Sequence, residues 1–189
     1  MIRWAIVGNV VLIAGALLWL VTCVLPPARA VRARNALLMR RGAAGDFAWI
    51  PAGVPVDFRV ESGPVPGVIA AAVKDARIDA LESDWQRAIA LVEMLVRHAA
   101  REGGIQADLA TTYRQIVAGN GYCADYVRVY LASAALIDLF CRQWAFSFDG
   151  FGGHGHTFVE VYDRNHARWS FIDVHNNVYA TKSLERGLP

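Results

Sequence analysis

Two short segments near the end of the chain limit its fold more than any other part of the sequence. Residues 156–162 (HTFVEVY) and 168–173 (RWSFID) follow the two-residue period of half-buried strands. Only a few residues, beginning with the polar run 163–166 (DRNH), lie between them. Strands joined by so short a polar turn form an antiparallel hairpin. The sequence therefore predicts a two-stranded unit over residues 156–173.

The register of this hairpin decides which polar side chains meet. Pairing Tyr162 with Ala167 across the turn places His156 directly opposite Asp173. Cross-strand neighbours have Cβ atoms about 4.5–5.5 Å apart, so the imidazole and the carboxylate come within hydrogen-bonding reach. A slip by one residue turns the two side chains to opposite faces and separates them. We therefore predict a His156–Asp173 pair.

Helical segments precede the hairpin. Apolar side chains recur at three- and four-residue spacing from Asp79 to about Glu102, which predicts one amphipathic helix. A second helix is predicted from Asp108 to Val117, and a third from Tyr122 or Cys123 to about Phe140. The period then changes to two, which predicts a strand over Arg142 to Phe148. Helices followed by a meander of strands indicate an α+β fold.

The cysteines suggest chemistry rather than cross-linking. Their positions, 23, 123 and 141, are too far apart for a disulfide framework, and no C-x-x-C pair is present. Cys123 opens a predicted helix, where the helix dipole and unpaired N–H groups favour a thiolate and can stabilise an oxyanion. With His156 as base and Asp173 to orient it, Cys123 is the candidate nucleophile of an acyl-transfer triad. Cys141 is predicted to be core packing.

Three sequence blocks resemble the signature of transglutaminase-like domains. They are residues 121–126 (GYCADY), 155–162 (GHTFVEVY) and 169–173 (WSFID). Their order and spacing are similar to the family pattern: a cysteine opening a helix, a histidine opening an H-x-x-V-E-V strand, and a W-x-x-x-D strand end. The resemblance covers about residues 108–180. It implies a papain-like core, with the helix that bears the cysteine packed on an antiparallel sheet, and gives Cys123, His156 and Asp173 the catalytic roles.

The resemblance also sets the expected function. Members of this family are cross-linking transferases, peptidases or amidases, or inactive copies. We expect a thiol enzyme that transfers or hydrolyses acyl groups at amide bonds of a peptide or protein, with no cofactor. The alternative is a catalytically inactive papain-like module that binds a partner. A third hypothesis is a zinc site, since His154 and His156 form an H-x-H pair with His175 nearby.

Other side chains near the triad have simpler interpretations. Glu160 has the same alternation parity as His156, and we predict a solvated charge on the strand. Trp144, Trp169 and Phe171 are predicted to be core aromatic residues.

The first part of the chain is a long apolar segment. From Trp4 to Leu25 there are 22 residues with no charge, and only Asn9 and Thr22 are clearly polar. As a helix this segment would be about 33 Å long, enough to cross the hydrocarbon core of a bilayer. We predict a single-pass membrane anchor. The alternatives are a cleaved signal peptide ending near residues 28–30 (ARA) and a lipoprotein signal around Cys23.

Charge places the predicted domain relative to the membrane. Five arginines lie between residues 29 and 41, whereas Arg3 alone precedes the apolar segment. By the positive-inside tendency we predict the domain on the cytoplasmic side. The formal net charge of the chain is +2, which gives no broad surface for nucleic acid. The expected partners are the membrane and an amide substrate, not nucleic acid.

The length of 189 residues indicates one domain with attachments. We predict a transmembrane anchor over residues 1–27, a linker and irregular segment over 28–78, where glycine and proline recur, and a transglutaminase-like domain over 79–189. The ending, residues 182–189 (KSLERGLP), has no clear capping element, as in a short protein or a truncated form of a longer one.

Overall fold

The computed structural model describes residues 2–20, 44–56, 58, 63–96, 103–147 and 155–179. The chain divides into two compact units. The first includes helix α1, Ile2–Trp19. The second is formed by Ala48–Phe146 and His156–Pro189 and includes all three triad candidates. The description below concerns the second unit unless α1 is named.

The described part of the second unit contains four α-helices and a four-stranded sheet. The helices are α2 (Gly67–Asp75), α3 (Asp84–Val96), α4 (Leu109–Val117) and α5 (Cys123–Leu136). The strands are β1 (Cys141–Ser147), β2 (Gly155–Asp163), β3 (Arg168–Asp173) and β4 (Val178–Tyr179), in the order β1-β2-β3-β4. The architecture is therefore α+β, as the sequence predicts.

Helix boundaries follow capping groups that the apolar periodicity does not reveal. Helix α3 begins at Asp84 rather than Asp79, because Ser83 forms a reciprocal cap with Gln86. The Ser83 hydroxyl accepts a hydrogen bond from Gln86 N at 3.1 Å, and the Gln86 side chain accepts one from Ser83 N at 3.2 Å. Helix α4 is capped by Asp108, whose carboxylate accepts from Thr111 N at 3.0 Å.

The hairpin of β2 and β3 is present, but its register differs from the predicted one by two residues. Tyr162 lies opposite Trp169, and Asp163 opposite Arg168, so the turn is residues 164–167. Ala167, the last residue of this turn, takes the left-handed conformation, with φ 51°. The prediction that His156 lies directly opposite Asp173 is therefore wrong. A shift by two preserves the alternation of side chains, so His156 and Asp173 still lie on the same face.

The hydrophobic core is built around α5. Tyr126, Val127, Val129 and Tyr130 are all fully buried, although they point in different directions around the helix. Helices α2, α3 and α4 all contact α5. The same apolar cluster continues into the sheet and into α2, a helix that lies within the segment predicted to be irregular. Its members in these two elements are Ile69, Val73, Val159, Val161 and Ile172.

The turn of the hairpin is fixed to the start of α3 by a buried acid. Asp84 is 4% exposed, and its carboxylate accepts hydrogen bonds from Arg164 N, Nε and Nη2 at 2.7–3.0 Å. The Arg164 guanidinium also donates to the Asp138 carboxylate at 2.8 Å. The hydrogen bonds from Arg164 hold the pKa of Asp84 below its usual range. This contact joins the helical layer to the sheet at the end remote from residue 156.

The predicted membrane anchor is wrong. In the parts of the chain that the structure describes, no helix combines the length and the apolar character that a bilayer crossing requires. The predicted single-pass localisation, with the domain on the cytoplasmic side, depended on this anchor and is wrong as well. The same holds for the predicted fold with a transmembrane helix ahead of the core.

Candidate active site

The start of α5 is held in place by a buried carboxylate. Asp125, at the third helical position and 8% exposed, accepts hydrogen bonds from Tyr122 N at 2.9 Å and Ile105 N at 3.1 Å. Gly121 adopts φ 108°, and a Cβ there would lie 3.2 Å from Ile105 Cδ1 and 3.3 Å from Asp125 Cβ. Only glycine fits this turn without strain. The GYCAD sequence therefore encodes one rigid entry into the helix.

This entry places Cys123 at the first position of α5. The N-cap residue is Tyr122, and its carbonyl accepts from Asp125 N at 2.9 Å and Tyr126 N at 3.2 Å. The N–H groups of Cys123 and Ala124 precede these first intrahelical bonds, as at any helix start. Cys123 is a free, partly buried thiol. A sulfur at this position lies in the positive field of the helix N-terminus.

The other two triad candidates meet directly. His156 Nε2 lies 2.7 Å from Asp173 Oδ2, near the end of the hairpin where β2 begins and β3 ends. The His156 side chain is 24% exposed and that of Asp173 is 11% exposed. A neutral imidazole donates Nε2–H to this carboxylate, which leaves the Nδ1 lone pair as the proton acceptor. The pair thus fixes the tautomer that a general base requires.

The carboxylate is itself held by the turn that follows β3. Asn176 Nδ2 donates to Asp173 Oδ2 at 2.8 Å, and Asn176 N donates to Asp173 Oδ1 at 3.2 Å. Oδ2 therefore accepts from both His156 and Asn176. Sequence reasoning missed Asn176, although an Asp-x-x-Asn spacing after a strand is a signal for a side chain that bonds to its own turn.

His175 connects this pair to α5. Its ring centroid is 6.5 Å from that of His156 and 5.4 Å from that of Tyr126, which it meets edge to face. Tyr126 is three residues after Cys123 and therefore lies on the same side of α5. The start of the cysteine helix and the His156–Asp173 pair are thus joined through two aromatic contacts.

The Cys123 thiol and the His156 ring are not hydrogen-bonded to each other. Of the hydrogen bonds formed by the described residues, none joins Cys123 to His156. Such a contact often tightens only when substrate is bound. The structure therefore brings His156 and Asp173 together and brings the start of α5 to their neighbourhood.

A polar groove opens beside the start of α5. Its volume is about 380 Å³, and it is lined by Gly103–Ala107, Thr111, Gln115 and Asn120, none of which is charged. A Cβ on Gly104 would lie 3.2 Å from the Tyr122 ring, so the wall of the groove touches the residue that precedes Cys123. The groove lies on the helical side of the site rather than over the His156–Asp173 pair.

Glu160 belongs to a different cluster and is not a solvated charge. Its Oε2 accepts hydrogen bonds from Arg142 Nε at 2.7 Å and Trp144 Nε1 at 2.6 Å. The Arg142 guanidinium is stacked 4.0 Å from the Trp169 ring centroid and 5.0 Å from that of Trp49. Periodicity gave no sign of this cluster, because its members come from four separate segments.

Two alternatives to the Cys123 site, Cys141 as nucleophile and a metal ion, find no support among the described residues. Burial raises the pKa of the Cys141 thiol, and its Sγ lies 3.8 Å from Leu139 O. This environment favours the neutral thiol and fits the packing role predicted for it. No group of three or more His, Cys, Asp or Glu side chains within the described ranges could hold a metal ion. His154, part of the zinc hypothesis, lies outside those ranges.

Comparisons with known proteins do not add a relative to these observations. Searches against protein-family models and against curated proteins find no match to the chain. The likeness to transglutaminase-like domains therefore rests on the three sequence blocks, and the case for an active site rests on the geometry of Cys123, His156 and Asp173.

Proposed function

We propose that the protein is a cysteine-dependent acyl-transfer enzyme acting on amide bonds, with Cys123 as nucleophile, His156 as base and Asp173 as the orienting residue. The observation that carries the proposal is the 2.7 Å contact between His156 Nε2 and Asp173 Oδ2, close to the helix that Cys123 opens. A nucleophile, a base and a group that orients the base are the three parts of this chemistry.

The proposed reaction has two steps, acylation of Cys123 and release of the acyl group. His156 Nδ1 takes the proton of the Cys123 thiol, and the resulting thiolate attacks the amide carbonyl carbon, so that a C–S bond forms and the carbonyl π electrons move onto oxygen. The N–H groups at the start of α5 stabilise this oxyanion. The C–N bond then breaks, and the protonated His156 delivers its proton to the leaving amine, which gives a thioester on Cys123.

The second step returns the free enzyme. Water or an amine attacks the thioester carbon, His156 accepts the proton of the attacking group, and the C–S bond breaks to release the thiolate. Water as acceptor gives hydrolysis, and an amine gives transfer. Asp173 stabilises the imidazolium in both steps without itself taking the proton.

The groove beside α5 supports a peptide or protein amide as substrate. Its lining is uncharged and polar, with amide side chains from Gln106, Gln115 and Asn120. Amide groups both donate and accept hydrogen bonds, which suits the main chain of an extended peptide or a primary carboxamide.

The proposal is tested by acylating the full chain with p-nitrophenyl acetate. The expected result is a burst of p-nitrophenolate equal to the enzyme concentration, with the acetyl group located on Cys123 by peptide mass spectrometry. The burst is lost in Cys123→Ala and retained in Cys141→Ala. A blocked glutamine peptide with hydroxylamine as acceptor then tests amide chemistry, because transfer produces a hydroxamate.

Two results would count against the enzyme. Acetylation of Cys123 no faster than that of an unfolded cysteine peptide would remove the activated nucleophile. Equal labelling of Cys123 and Cys141 would remove its selectivity. In either case the inactive binding module becomes the better account of the same fold.

A further inference from the structure

Asn176 contacts the site through hydrogen bonds that the proposed triad does not include. It donates from Nδ2 to Asp173 Oδ2 at 2.8 Å, while its backbone N–H reaches Asp173 Oδ1 at 3.2 Å. Both oxygens of the carboxylate are thus held by one residue. The oxygen that receives the amide proton is the same one that faces His156 Nε2.

We propose that Asn176 is a positioning residue that fixes the Asp173 carboxylate and, through it, the tautomer and orientation of the His156 ring. This inference rests on the proposed function for its catalytic consequence, but its structural part stands without it. It extends the triad to a fourth residue, which acts on Asp173 and does not touch the substrate.

The physical reason lies in the freedom of a carboxylate at a strand end. Asp173 is the last residue of β3 and is 7% exposed, so the donors that reach its carboxylate set the orientation of that group. Without a second donor, the carboxylate can rotate about its last torsion angle and offer either oxygen to the imidazole. The two bonds from Asn176 select one rotamer, and a hydrogen bond to a charged acceptor is among the stronger ones in proteins.

Asn177 offers a matched control. It is the next residue in the same turn, it is exposed, and it takes the left-handed conformation with φ 53°, which aspartate tolerates. Asn176→Asp and Asn177→Asp therefore make the same chemical change, one residue apart. The first replaces a donor to Asp173 by a repelling oxygen, and the second leaves Asp173 untouched.

The first measurement reads the His156 tautomer by long-range ¹H–¹⁵N correlation in the full chain. We expect one tautomer, protonated on Nε2, in the wild type and in Asn177→Asp, and a mixture in Asn176→Asp. Asn176→Ala, which removes the donor without adding charge, gives the same mixture should the aspartate variant fail to fold. An unchanged tautomer in both Asn176 variants would overturn the proposal, whether or not Cys123 is reactive.

The second measurement separates positioning from a general effect on the turn. Asn176→Asp should slow the alkylation of Cys123 by about tenfold in the wild-type background, the size expected for a lost hydrogen bond to a charged group. In an Asp173→Ala background it should have no further effect, because the group through which it acts is gone. Additive losses would contradict the assignment. If Cys123 is unreactive but wild-type His156 shows a single tautomer, the proposed function is wrong and the positioning role of Asn176 still stands.

Discussion

Each end of the β2–β3 hairpin carries a histidine bonded to an aspartate, and the two contacts have the same length. At one end His156 Nε2 is 2.7 Å from Asp173 Oδ2, and at the other His166 Nδ1 is 2.7 Å from Asp163 Oδ2. Only the first end is a candidate active site. A histidine–aspartate distance therefore does not by itself distinguish a catalytic pair from a structural one.

The surroundings make the difference. His166 and Asp163 are three residues apart in one turn, and the His166 side chain is 61% exposed. His156 is 24% exposed, its partner is 17 residues away, and its ring lies next to His175. A local pair closes a turn, whereas a pair across two strands is held at a defined place beside another element. In this fold that element is the helix that begins with Cys123.

The largest expected effect separates the two histidines. His156→Ala should lower the rate of Cys123 alkylation by iodoacetamide at pH 6 by about 100-fold, because the thiol must then ionise without a proton acceptor. His166→Ala should change the rate by less than about twofold, since it makes no contact with the site. Rates are measured per residue by peptide mass spectrometry in a Cys23→Ser background. Equal effects of the two variants would remove the distinction drawn between the two ends.

The next effect is on stability and concerns the turn end. Arg164→Ala should lower the free energy of unfolding by about 2 kcal/mol, because it leaves the buried Asp84 without its charged donor. Denaturant unfolding measures this. Arg168→Ala, an exposed arginine at the start of β3, is the control and should cost no more than about 0.5 kcal/mol. Alkylation of folded Cys123 should be unchanged in both variants.

A smaller effect is the dependence of stability on pH. The pKa of Asp84 is lowered in the folded state, chiefly by the hydrogen bond from Arg164, relative to an ordinary value of 3.8. Its contribution is therefore present above pH 3.8 and is lost as the pH falls below it through the folded pKa. Unfolding curves between pH 6 and 2.5 should show a shallower loss in Asp84→Asn than in the wild type. A steeper loss would mean that this carboxylate does not contribute in its charged form.

The smallest expected effect is that of the turn pair itself. His166→Ala should cost about 0.5 kcal/mol or less, because the His166 side chain is 61% exposed and the buried Asp163 keeps its hydrogen bond from Asn165 N at 3.0 Å. Thermal unfolding at pH 6 and pH 8 gives the value in both charge states of the imidazole. A cost above about 2 kcal/mol would show that the turn pair is a structural anchor comparable to Arg164.

Strands β1, β2 and β3, helix α4 and the start of α5 followed from local patterns. Asp108 caps α4 and Cys123 opens α5, because capping and periodicity act within a few residues. The same patterns failed where a side chain from elsewhere decided the outcome. Glu160 was predicted to be solvated, but Arg142 and Trp144 bind it. The apolar stretch near the N-terminus was predicted to be a membrane anchor from its length and lack of charge, but no helix in the described part of the chain meets the requirements for crossing a bilayer.

The sequence by itself determined which residues are candidates for the site and on which face each lies, because strand parity and helix starts are local properties. It paired His156 with Asp173 even though the register was wrong by two residues, since a shift by two keeps both on one face. The tertiary structure alone decided that Asn176 holds the carboxylate and that His175 joins the pair to α5. These contacts depend on how the turn after β3 packs against α5. The periodicity of apolar residues carries no information on the distance between two elements.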